Sequence, residues 1–240
     1  MAGLSLHQNR DLLPAKLEIG LRYPLLVRKE KVALGLDRKV LYISDLHLRP
    51  SNQQRIAMEL LDAFRKDNPS VVLLGGDLVD HPASLEMLSA LIDGFASRAT
   101  VGAVWGNHDT LVGRARVREA VVRAGGHWLC DEPLQVEDVQ ILGSVDQFRS
   151  GPPTVLCSHY PTDFSQARKR GIDLVFAGHL HGWQVVFGQK GDYLYPGAWL
   201  SRWNGLRFHR DASVLLVSRG VTDLLPIRWN CPREVILASL

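Results

Sequence analysis

A chain of 240 residues is long enough to bury a sizeable core, and one α/β domain spanning residues 1–240 is the simplest reading. Apolar residues make up 46% and charged residues 22%, an ordinary globular balance, and no run approaches the roughly 20 apolar residues of a membrane-spanning helix. A net charge of +3 does not imply a basic stripe for nucleic acid, while it tolerates an anionic substrate.

Residues 1–30 carry Arg10, Lys16, Arg22, Arg28 and Lys29 without the apolar core of a secretory signal. Segment 21–31 reads as an exposed edge strand bearing basic side chains, with contact to an anionic membrane surface as the alternative. The first buried strand is Lys39–Ile43, which runs into Ser44-Asp45. A helix near 52–66 follows, because Ile56, Leu60, Leu61 and Phe64 share one face. Residues 71–74 form the next strand and run into Gly75-Gly76-Asp77. Pro82 and Ser84, an expected N-cap, precede a helix over 84–96 that buries Leu85, Leu88, Leu91, Ile92 and Phe95. Strand 100–105 runs into Gly106-Asn107-His108-Asp109. A helix near 110–123 is predicted to bury Leu111, Ala115, Val117 and Val121.

From about residue 126 the strands follow one another with little helix between them. Val139–Leu142, Thr154–Cys157, Leu174–Ala177, Ser213–Val217 and residues 234–237 are the clearest, with one helix around Phe164–Arg170. Thr154–Cys157 runs into Ser158-His159, and Leu174–Ala177 into Gly178-His179. The alternation in the first half is the signature of parallel βαβ units, and the whole pattern predicts two packed mixed β-sheets with helices outside. Cys130, Cys157 and Cys231 are far apart and form no Cys-x-x-Cys pair, which fits a cytoplasmic protein with Cys157 as a small core residue.

Five successive strand ends deliver metal-competent side chains: Asp45 and His47, Asp77, Asn107 with His108, His159, and His179 with His181. Five of the nine histidines sit in these loops. Singly, each residue has an ordinary explanation as a turn, cap or loop residue. Together they point to a metal centre, since sites in open α/β sheets form beyond the carboxyl ends of strands. Carboxylate, imidazole and amide oxygen suit Mn, Fe or Zn, with Mn favoured, and the absence of cysteine excludes a structural zinc knuckle. Two ions about 3.5–4 Å apart need a bridge, and Asp77, behind two glycines, is placed in that role.

The motifs Asp45-Leu46-His47, Gly76-Asp77-Leu78-Val79-Asp80, Gly106-Asn107-His108-Asp109, His159 and Gly178-His179-Leu180-His181 occur in one order across residues 45–181. In this the chain resembles the calcineurin-like metallophosphoesterases. The resemblance implies a four-layer α/β/β/α sandwich, two mixed sheets flanked by helices. It also implies one ion held by Asp45, His47, Asp77 and His181, and a second held by Asp77, Asn107, His159 and His179. A metal-activated hydroxide would attack the phosphorus. His108 would steady the phosphoryl group and protonate the leaving oxygen, and Asp80 and Asp109 would orient histidines. Two aspartates against two dications would leave the centre positive and attractive to phosphate.

Residues 178–184 and 225–232 further resemble a bacterial branch of small phosphoesterases. Some members cleave lipid-linked or sugar-nucleotide pyrophosphates, and many carry an N-terminal membrane segment. No such segment is read here, which weighs against a lipid substrate, although peripheral membrane contact stays open. The aromatic stretch 193–205 offers Trp199 and Arg202 as a substrate wall. Arg114, Arg116 and Arg118 read as a solvated helix face, and His7, His81, His127 and His209 belong to no motif. The expected partner is a phosphorylated small molecule, a nucleotide or a lipid-linked substrate, and not nucleic acid. A nuclease on the same centre and a non-catalytic scaffold on the same fold are the alternatives, and the oligomeric state is left open.

Overall fold

The computed structural model describes residues 16–223 and 225–240, so His7 and Arg10 lie outside the described residues. The first half contains β1 (Leu17–Ile19), β2 (Leu26–Lys31), β3 (Lys39–Ile43), α1 (Gln53–Asp67), β4 (Val71–Gly75), α2 (Leu85–Ala96), β5 (Thr100–Val104), α3 (Asp109–Val112) and α4 (Arg114–Arg123). Then come β6 (His127–Trp128), β7 (Leu134–Val136), β8 (Val139–Leu142), β9 (Thr154–Cys157), α5 (Phe164–Arg170) and β10 (Leu174–Ala177). The chain closes with β11 (Gly188–Lys190), β12 (Tyr193–Tyr195), β13 (Arg207–Arg210), β14 (Ser213–Val217), β15 (Ile227–Trp229) and β16 (Glu234–Ser239).

One six-stranded sheet has the order β2-β16-β3-β4-β5-β6, and the other β13-β14-β10-β9-β8-β7. Both are mixed. β3, β4, β5 and β6 run parallel while β16 is antiparallel to β3. β8, β9, β10 and β14 run parallel, with β7 and β13 antiparallel at the two edges. Successive side chains of a strand point to opposite faces. Accordingly Leu41 and Ile43 join the helix-side cluster with Ile56, Leu60, Leu91 and Val121. Val40 and Tyr42 face the other way and pack with Val155, Cys157, Phe176 and Leu216 of the second sheet. The far face of that sheet, through Leu156, Val175 and Leu215, is covered by Phe164 and Ala167 of α5. The layers are therefore α/β/β/α, and both sheets carry continuous apolar strands because both faces are buried.

Three sequence expectations need correction. The helix expected over 110–123 is broken at Gly113, whose φ of 102° is in the left-handed region. Its burial is also shifted. Val112, Val117, Ala120 and Val121 are buried, whereas Leu111 and Ala115 are exposed, since α3 is a separate turn with its own orientation. Ser84 makes no capping bond to α2. It sits in a 3-10 turn whose opening is capped instead by His81, with Ala83 N–H donating to its Nδ1 at 3.1 Å. Finally, β2 is an edge strand, but of its basic side chains only Lys29 and Lys31 face solvent, and Arg28 is buried.

Arg28 of β2 turns inward to Glu234 of β16 at 3.2 Å and to Glu30 at 2.5 Å. Glu234 is fully buried and also accepts from the Arg219 guanidinium and from Arg219 N–H at 3.1 Å. Burial would raise Glu234, but Arg219 and Arg28 outweigh it and hold the carboxyl below its ordinary value. Glu234→Gln leaves two guanidinia facing a neutral amide. It is expected to cost about 3–5 kcal/mol, the usual penalty for breaking a buried pair from one side, measured by urea unfolding.

Candidate metal centre

Each of the five motifs sits just past a parallel strand. Asp45 follows β3, Asp77 follows β4, Asn107 follows β5, His159 follows β9 and His179 follows β10. The ladder persists beyond β3 and β4: Asp45 N–H donates to Gly76 carbonyl at 3.0 Å and His47 N–H to Asp77 carbonyl at 2.9 Å. Asp45, His47, Asp77, His179 and His181 have φ between 42° and 70°. Non-glycine residues take this region only at a cost, which clusters at functional sites. Two glycines make room. A Cβ on Gly178 would lie 2.5 Å from Asp45 Oδ2, and one on Gly106 would collide with Asp77 Oδ1.

These turns converge into two adjoining donor sets. In the first, His181 Nε2 lies 3.4 Å from His47 Nε2 and 3.5 Å from Asp45 Oδ1, and Asp77 Oδ2 lies 3.8 Å from His47 Nε2. In the second, His159 Nε2 is 3.4 Å from that same Asp77 Oδ2, 3.2 Å from Asn107 Oδ1 and 3.2 Å from His179 Nδ1. Asp77 Oδ2 thus faces both sets, while its Oδ1 accepts His108 N–H at 2.8 Å. Donor atoms around one ion with bonds of about 2.1 Å lie about 3.0–3.4 Å apart, close to what is found here.

The hydrogen-bond polarity tests the fit independently. His47 Nδ1 is 2.9 Å from Asp80 Oδ1, His181 Nδ1 is 2.9 Å from Thr222 carbonyl, and His159 Nδ1 is 2.9 Å from Gly75 carbonyl. Each oxygen can only accept, so each Nδ1 carries the proton and each Nε2 presents a lone pair in the neutral ring. The centre is then lone pairs and carboxylate oxygens facing one another. Such a cluster calls for a cation. Without one, protons substitute. Burial pulls His159 down, but Asp77 and Asp45 outweigh it and raise it to about 9. Burial likewise opposes the raised His47, where Asp80 prevails. His179 is depressed by burial and by His159 beside it.

Metal uptake must expel the His159 proton, so affinity is expected to rise with pH up to about 9, by about one log unit per pH unit per proton released. Metal titrations at stepped pH measure this. The raised folded pKa also sets a stability slope. In metal-free protein the His159 contribution is fully present below its ordinary 6.5 and is lost as pH rises through about 9.

Asp80 acts on His47 and is held in turn by Arg49 at 2.9 Å. Asp109 does not orient a histidine, contrary to the expectation above. It is fully buried and accepts from Leu78, Val79 and Gly106 N–H, which pins the two loops that carry Asp77 and Asn107. Burial pushes its carboxyl up to about 6 against those three donors. Sequence reasoning missed several supports. Asp223 Oδ1 stands 3.4 Å from His181 Nδ1 and is gripped by Arg228. Ser44 Oγ donates to Asp45 Oδ2 at 2.7 Å. The Thr222 and Gly75 carbonyls were also missed, since any residue supplies a carbonyl and composition gives no signal.

His108 is partly exposed. Its ring lies edge-on to His47 with centroids 4.7 Å apart, and its Nδ1 is 3.3 Å from Asp80 Oδ1. A ring nitrogen of His108 also lies within 4.8 Å of ligand atoms of His47 and Asp77. Trp199 is exposed and touches Tyr195. Arg202 reaches Ser165 of α5 at 2.9 Å and lines a separate cavity that contains none of the metal-competent residues. His81, His127 and His209 are exposed.

Among the described residues no helix is long and apolar enough to cross a membrane. The family profile for calcineurin-like phosphoesterases matches residues 38–183, more than half of the chain. The chain is similar to an uncharacterized metallophosphoesterase of Aquifex aeolicus, with 23% identity covering 89% of each chain. It is also similar to the phosphodiesterase YaeI of Escherichia coli, with 25% identity covering 84% of this chain and 82% of that one. Strand ends that present an acceptor-only cage agree with these matches: the chain belongs to the calcineurin-like phosphoesterase family, and it is a hydrolytic, metal-dependent phosphoesterase.

Proposed function

We propose that residues 1–240 form one catalytic unit that hydrolyses phosphodiester or pyrophosphate bonds of a small phosphorylated molecule with two divalent ions. The observation that carries this reading is the single oxygen, Asp77 Oδ2, facing both donor sets. Asp45, His47, Asp77 and His181 would hold one ion; Asp77, Asn107, His159 and His179 would hold the other. When bound, such a pair lowers the pKa of water, neutralises phosphoryl oxygens and steadies the leaving oxygen. Mn is the ion we favour, since carboxylate and amide oxygens suit it.

The chain's own residues supply the rest. Asp80, the Gly75 and Thr222 carbonyls and Asp223 fix the imidazoles so that little reorganisation accompanies reaction. His108 stands at the rim with an exposed edge, where it can reach a phosphoryl oxygen and give a proton to the leaving oxygen. The named activity of the E. coli relative supports the diester preference. Exposed Trp183, two residues beyond His181, and exposed Trp199 support a substrate with an apolar or aromatic leaving group. Three unpaired cysteines support a reducing compartment.

The test is a chelated protein reloaded with Mn, Fe or Zn and assayed on aryl phosphodiesters, phosphomonoesters and nucleotide diphosphate sugars. Turnover is expected only after loading, with diesters or pyrophosphates ahead of monoesters. Absence of turnover on every class at full loading would defeat the proposal.

A further inference from the structure

A second feature lies on the outer side of the second sheet. A cavity of about 270 Å³ is lined by Ser165 and Arg168 of α5, Tyr193 of β12, Arg202 and Trp203 of the following loop, and Arg210 of β13. Every one of these side chains carries an N–H or O–H donor, and none is a carboxylate. Arg202 donates to Ser165 Oγ at 2.9 Å. Arg210 donates to the His209 carbonyl at 2.8 Å and to Tyr193 Oη at 3.3 Å. Among the described residues neither guanidinium meets a carboxylate. Arg168 alone has one, the exposed Asp211 at 2.8 Å, and an ion pair so open to solvent neutralises little.

Trp203 forms one wall of the cavity. The residue is 7% exposed, its indole is fixed edge-on between Phe164 and Phe208 at 5.4 and 5.3 Å, and among the described residues its Nε1–H meets no acceptor. The Arg202 guanidinium lies 4.9 Å from the centroid of the same ring, so the indole is a fixed reporter on the wall of the cavity.

We propose that this cavity binds a phosphate-class anion, either free phosphate or the phosphate group of a small metabolite, independently of the metal cage. Guanidinium forks match tetrahedral oxyanions in pairs, and hydroxyls from Ser165 and Tyr193 complete the donor ring. The volume is at the small end of ligand sites, so it suits one phosphate with a short organic group rather than a dinucleotide. The anion would share its chemistry with the product of the proposed reaction, but its binding does not rest on that reading.

Chelator-stripped full chain, in which the cage holds no ion, is titrated with inorganic phosphate while the Trp203 indole N–H is followed by ¹⁵N NMR. Trp203→Phe assigns the resonance. A saturable shift is expected, weakened at least about tenfold in Arg202→Ala/Arg210→Ala and unchanged in Asp77→Asn. Arg210→Gln, an exposed change on an edge strand, is the second variant should the double variant misfold, and it too is expected to weaken binding. Glycerol phosphate is the second probe: tighter binding than phosphate assigns a metabolite, and equal binding assigns the free ion. No saturable shift with either probe, or the same affinity in the arginine variants, would overturn the site.

Discussion

Asp77→Asn is expected to keep the fold, lose both ions together, and slow phosphodiester hydrolysis by roughly 10³-fold or more, the several kcal/mol that metal-centred charge stabilisation supplies. The residue stands where both donor sets meet, with Oδ2 within 3.8 Å of His47 Nε2 and 3.4 Å of His159 Nε2. Asparagine preserves the acceptor for His108 N–H. In place of Oδ2 it puts an N–H₂ that donates to the two imidazole lone pairs, so the metal-free state gains hydrogen bonds while the loaded state loses its bridge. Metal content by mass spectrometry, read beside thermal unfolding and turnover, separates this from misfolding. Retention of two ions per chain would remove Asp77 from the bridging role.

His108→Ala is expected to keep wild-type metal content and lose roughly 10²–10⁴-fold in kcat, the range for a positioned acid. The contact that touches the cage, His108 N–H to Asp77 Oδ1 at 2.8 Å, is backbone and survives the substitution. What goes is an imidazole on the rim, edge-on to His47 and 3.3 Å from Asp80. If its proton serves the leaving oxygen, the loss is larger for alkyl than for nitrophenyl esters, because a good leaving group needs little protonation. Full activity on both would refute the role, and loss of metal instead would make His108 a ligand.

Where the local pattern was strong, it was enough. Lys39–Ile43, Thr154–Cys157 and Leu174–Ala177 occur with the bounds that their apolar runs suggest. Where two local signals competed, the reading failed. Leu111 has the right spacing for a buried face, but Gly113 ends the turn before that face forms. Arg28 looks like one more basic residue on an edge strand. Only the arrival of β16, more than 200 residues later, gives it Glu234 and draws it inward.

Asp109 shows the same limit from inside the centre. Its motif position suggested a histidine partner, yet its carboxylate is spent on three backbone N–H groups of two loops. Arg202 was singled out for phosphate, and the fold directs it to α5 and a separate cavity.

By itself the sequence determined the layered α/β class and the kinds of donor that end each strand, because strand and helix periodicities and strand-to-turn transitions are written in neighbouring residues. Tertiary structure alone decided which atoms face which. Asp77 sharing one oxygen between two sets, carbonyls of Gly75 and Thr222 choosing the imidazole tautomers, and Asp223 closing in behind His181 all depend on chain segments distant in sequence. Distances of a few ångströms between such segments are set by packing of the whole sandwich, and no local pattern encodes them.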